Sequence, residues 1–204
     1  EPEVFLHAPM IYRPPAEYGD LVRSTCENTS ALVMPFLLAS DLAVPRVFPS
    51  AADIRLNMLA TALSGGDGAV LWVGIESLDG EIINALRRSM NEIRELQRYI
   101  TGGERLTDLA TEIEPGAVRT VMVEGRAIEM PSENTLTPVM VWGWSSERGH
   151  LAAAINYDEE ALHSIRLSAP GIAAARSLFG STLARDGDDI VVRLEPGQFA
   201  ALSW

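Results

Sequence analysis

ALVMPFLLA, residues 31–39, is apolar from end to end, interrupted only by the ring of Pro35. Such a run fits a strand buried on both faces of a parallel sheet. Ser40-Asp41 ends it, and 42–49 read as a loop. Ser50 followed by Asp53 has the spacing of a capping box. Ile54, Met58, Leu59 and Leu63 then recur at helical intervals until Gly65-Gly66. AVLWV, residues 69–73, is a second buried-strand pattern. After a turn at 77–80, Ile82, Leu86, Met90, Ile93, Leu96 and Ile100 predict a long helix over 81–100, with Leu86, Met90, Ile93 and Leu96 on its buried face. On the other side of the opening stretch, 4–7 is a short apolar run, and Arg13-Pro14-Pro15 breaks regular structure. Residues 16–26 predict a helix with Tyr18, Leu21 and Val22 on one side. Strand, helix, strand, helix reads as consecutive β/α units with right-handed crossovers.

Past Gly103 the pattern changes. Short strands are predicted at 118–123, 138–144, 151–156, 164–167, 173–179, 189–194 and 199–204, separated by turn signals such as Glu124-Gly125 and Pro196-Gly197. That spacing predicts an all-β sandwich domain. The expected organisation is therefore an α/β segment over 1–103 and a β-sandwich domain over 104–204.

The chain has 204 residues, 47% hydrophobic and 22% charged, which is ordinary globular composition. It opens on Glu1-Pro2 without a Met or a signal-peptide pattern, so a processed chain or a piece of a longer one is expected. No apolar run approaches the roughly 18 residues of a membrane span. The net charge of −12 repels nucleic acid and anionic membrane, so neither is an expected partner. All basic residues are Arg, which removes Schiff-base and P-loop lysine chemistry. The single Cys26 excludes an internal disulfide and is read as a small, partly buried residue. His7, His150 and His163 lack ligand spacing, and no cofactor or metal motif is present; neither a metal nor a cofactor is expected.

In β/α folds, function sits at the carboxyl ends of strands. Three such ends carry chemistry here. Asp41 follows the 31–39 run and can act as nucleophile, base or hydrogen-bond partner, or simply as a loop-start residue or cap. Glu76 follows the 69–73 run and can act as acid/base or bind sugar hydroxyls, or be a solvated loop carboxylate. Trp72 offers a flat apolar face for a sugar ring, or packs in the core. His7 ends the first run and is a further substrate-binding candidate. Trp142 and Trp144, two apart on one strand, share a face and form either a binding platform or an interdomain contact.

The segment AADIRLNMLATALSGGDGAVLW (51–72) resembles the last helix, Gly-rich turn and final strand of (β/α)8-barrel glycoside hydrolases, the β-galactosidase-like retaining enzymes above all. The 81–100 helix is similar to the helix that closes their barrel. AAAINYDEEALHSIRL and DIVVRLEPGQFAALSW are similar to parts of their C-terminal sandwich. The resemblance covers about three quarters of the chain. It implies the last units of an incomplete barrel with a sandwich attached, and a carbohydrate as partner. It further implies that the remaining barrel segment, or another copy, covers the open sheet edge. In that family the acid/base Glu follows the fourth strand and the nucleophile Glu the seventh. If 69–71 is the eighth strand, the fourth lies outside this chain and the seventh ends in Ser40-Asp41. The expectation is then a C-terminal portion of a glycoside hydrolase that is inactive alone, with Asp41 and Glu76 as catalytic candidates and Trp72 as the matching sugar-stacking position. The alternative is a noncatalytic carbohydrate-binding or interdomain-packing module.

Overall fold

The structure, a computed structural model, describes residues 6–8, 15–38, 50–72, 80–114, 119–123, 126–130, 138–158 and 160–204. The fold is mixed α/β with several antiparallel sheets. By compactness the chain divides into two units: Glu1–Arg105 with Trp144–Leu151, and Leu106–Gly143 with Ala152–Trp204.

The first unit opens with β1 (Leu6–His7), α1 (Pro15–Asn28) and β2 (Leu32–Val33), and β1 and β2 pair in parallel. β3 (Phe36–Leu38), α2 (Ala51–Leu63) and β4 (Val70–Trp72) repeat the arrangement, β3 and β4 again parallel with Leu38 opposite Trp72. The single strand expected over 31–39 is thus two short ones. Pro35 has no N–H to give a ladder, so β2 ends before it. Its carbonyl still accepts from Val70 N at 3.0 Å, which starts the second pair.

Pro15 sits at the first turn of α1, where its missing N–H costs nothing. Tyr18 and Val22, four apart, are buried and pack with Leu37, while Leu21 points away and is 45% exposed, against the expectation that it shares their face. The Tyr18 hydroxyl meets Thr61 Oγ1 at 3.0 Å, tying α1 to α2. α2 begins with the expected capping box: Ser50 Oγ accepts from Asp53 N at 3.1 Å and Asp53 Oδ2 accepts from Ser50 N at 2.7 Å. Ile54, Leu59 and Leu63 are fully buried.

α3 (Gly80–Ile100) packs on α2 with Leu96 buried as its apolar spacing predicts, but with Ser89 and Glu92 beside it and not the rest of the apolar stripe. Its buried residues are Ser89, Glu92 and Leu96, whereas Met90 is 57% exposed and Leu86 and Ile93 are half-buried. The reason is a partner on α2. Arg55 donates to both Glu92 oxygens at 2.8 and 2.7 Å, and Arg88 reaches the same carboxylate at 3.1 Å. Ser89 Oγ lies 3.2 Å from the Met58 sulfur and donates to Leu86 O at 2.8 Å.

β5 (Glu104–Arg105) pairs with Ser145 and Trp144 of β9 (Val139–Ser146), which turns into β10 (Gly149–Asn156). This hairpin end belongs to the first unit. Gly103 sits beneath it: an added Cβ would collide with the Tyr99 carbonyl oxygen.

In the second unit, β6 (Ala110–Glu114), β11 (His163–Ser168), β13 (Leu183–Asp186) and β14 (Asp189–Leu194) form an antiparallel sheet in the order β13-β14-β11-β6. β12 (Arg176–Ser177) and β15 (Phe199–Ser203) join β10 and β9 in a second sheet. Ile165, Leu167, Ile190, Val192 and Leu194 from the first sheet and Val139, Ala152, Ala154, Ala200 and Leu202 from the second form one core. Along β14, Ile190, Val192 and Leu194 are buried while Arg193 is exposed, the alternation of a half-buried strand. β7 (Arg119–Val123) and β8 (Arg126–Met130) pair as a separate antiparallel hairpin. Residues 173–179 differ from expectation. Gly171, at φ 77°, starts a 3-10 turn at Ile172–Ala174, and the strand β12 is confined to Arg176–Ser177.

Candidate functional site

The backbone places His7 as the last residue of β1 and Trp72 as the last residue of β4. Both therefore stand at carboxyl ends of strands in parallel pairs. Asp41 and Glu76, the two carboxylates expected to follow β3 and β4, lie outside the described residues.

Several described polar groups of the first unit gather around the end of α2 and the turn that follows it. Asp67, in the turn after α2, accepts the Val33 N–H on Oδ2 at 2.9 Å, and its own N–H donates to Val33 O at 2.9 Å. The carbonyl of Leu63, in the last turn of α2, has no partner within its helix. Trp144 Nε1 and Arg105 Nη1 both donate to it at 2.9 Å, and the Arg105 guanidinium lies 4.1 Å from the Trp144 ring centroid. Burial lowers the Arg105 pKa, with the nearby Arg23 charge adding to the effect. Burial likewise pushes the Cys26 thiol up; Arg105 opposes this and the carboxylates of Asp67 and Glu27 reinforce it. A thiol held protonated is a poor nucleophile, in keeping with the reading of Cys26 as a packing residue. These contacts hold helices and strands in place.

Trp142 and Trp144 are 2% and 8% exposed, so they do not form the binding platform that their spacing allows.

In the second unit the polar centre is one that spacing alone does not disclose. Asn156 is fully buried at the end of β10, and its Nδ2 donates to Ala161 O at 2.9 Å and Leu194 O at 3.0 Å. Its Oδ1 accepts from Asp158 N at 2.9 Å. Asp158 in turn accepts from the N–H groups of Glu160 and Ala161 at 2.9 Å and meets His163 Nε2 at 3.0 Å. Burial raises the Asp158 pKa, but the His163 hydrogen bond and the two amides outweigh it and hold the carboxyl below its ordinary range. The Asn-x-Asp spacing is the one available signal, since both side chains favour turns closed on their own backbone. Their partners are mostly backbone groups, so the network fixes the connection from β10 to β11. Among the described residues no group of three His, Cys, Asp or Glu is placed to hold a metal.

No protein-family model and no curated protein matches the chain. Solved structures of glycoside hydrolases match it loosely. AmyP in complex with maltose is 10% identical over 95% of this chain and 35% of its own, at a TM-score of 0.46. The α-amylase from H. orenii is 8% identical over 100% of this chain and 54% of its own, at 0.46. A GH30 endoxylanase from Clostridium papyrosolvens C71 is 10% identical over 94% of this chain and 61% of its own, at 0.39. The chain thus spans less than two thirds of each of these proteins.

Proposed function

We propose that this chain is the C-terminal portion of a carbohydrate-active glycoside hydrolase: 1–103 the last units of a β/α barrel, 104–204 a β-sandwich accessory domain. The observation that carries this reading is the repeated β-α-β unit. β1-α1-β2 and β3-α2-β4 each join parallel strands through a helix, and His7 and Trp72 end their strands on the side where such folds place substrates. Trp72 stacks on a sugar ring and His7 binds its hydroxyls. Asp41 and Glu76, which follow β3 and β4 in sequence, supply carboxylates. Retaining hydrolysis needs two carboxyl groups roughly 5 Å apart, one of them a general acid. The family's acid/base position, after a fourth strand, has no counterpart among these residues. The remaining barrel segment, or a second copy, covers the open sheet, where Leu6 and its register partner Leu32 are 50% and 53% exposed.

The test is an aryl-glycoside panel assayed with this chain and with its Asp41→Ala and Glu76→Ala variants. No turnover is expected. Turnover that either substitution abolishes would place a complete site in the chain and overturn the split-site reading. Sugar binding through one aromatic face should be in the millimolar range, about −4 kcal/mol. Trp72→Ala should abolish it. Binding that survives this substitution removes Trp72 from the site.

A further inference from the structure

We draw no further inference here: the strongest candidate, the part-exposed apolar flank of α3 at Leu86, Met90 and Ile93, has nothing in the structure to show what covers it.

Discussion

Glu92 is a carboxylate in the middle of a helix contact, with its side chain only 9% exposed, and Arg55 is its counter-charge at 13%. Removing one member of such a pair strands the other in a poorly solvated place. Glu92→Leu should therefore lower the unfolding free energy by about 3 kcal/mol, and Arg55→Leu with Glu92→Leu should recover most of that. Urea unfolding of the single and double variants decides it; a neutral Glu92→Leu would mean the pair is solvated. Asp158 gives a second residue-scale expectation. Its carboxyl titrates lower in the folded chain than in the unfolded one. The stability it contributes is whole above the ordinary carboxylate pKa of about 4, and is lost as pH falls through the lower folded value. Asp158→Asn should flatten the acid limb of stability against pH, and an unchanged limb would exclude Asp158 as its source. At this scale the sequence discloses some roles and hides others. His7 is legible as a strand end because an apolar run stops beside it, and Trp72 as a residue near the end of the run at 69–73. Asn156 is legible only as the polar residue that ends a strand, since its bond to Leu194 O spans 38 positions.

α3 shows how an element can be legible while its orientation is not. The helix was readable from its apolar spacing, yet the stripe through Leu86, Met90 and Ile93 is not the one most buried. An apolar stripe broader than its contact can turn either way, and the Arg55 pair with Glu92 selects the turn. Two substitutions separate the orientations. Leu96→Asp puts a charge at a fully buried position and should cost several kcal/mol, whereas Met90→Asp should change thermal stability little. Equal losses at both positions would contradict the orientation seen here. The start of α2 is simpler, because the capping box is a local device written in adjacent residues. Ser50→Ala should cost about 1 kcal/mol, and no loss in thermal unfolding would mean that the cap contributes nothing. β6 and β13 escaped the sequence reading for a physical reason. They are edge strands, mostly exposed, and carry little of the alternation that a buried face imposes.

For the whole molecule, the change from helical to strand periodicity near Gly103 is plain in the sequence, but the return of Trp144–Leu151 to the first unit is not. That return rests on a tertiary bond from the Trp144 indole to the Leu63 carbonyl, 81 residues away, which no local pattern encodes. A chain of residues 106–204 alone would lack both Leu63 and Arg105, leaving Trp144 without its acceptor and its stacked cation. Its tryptophan emission should be more readily quenched by iodide than in the whole chain, and Trp144→Phe should remove most of the difference. Equal quenching would show that Trp144 is covered without those partners. The same bond has a meaning for synthesis. Domains usually close in the order in which the ribosome delivers them. Here the carbonyl at the end of α2 must wait for an indole made much later, so the unit with the lower residue numbers cannot finish folding until the tip of the β9–β10 hairpin has emerged. A nascent chain stalled before Trp144 should hold α2 in a protease-sensitive state, and one stalled well beyond Leu151 should protect it.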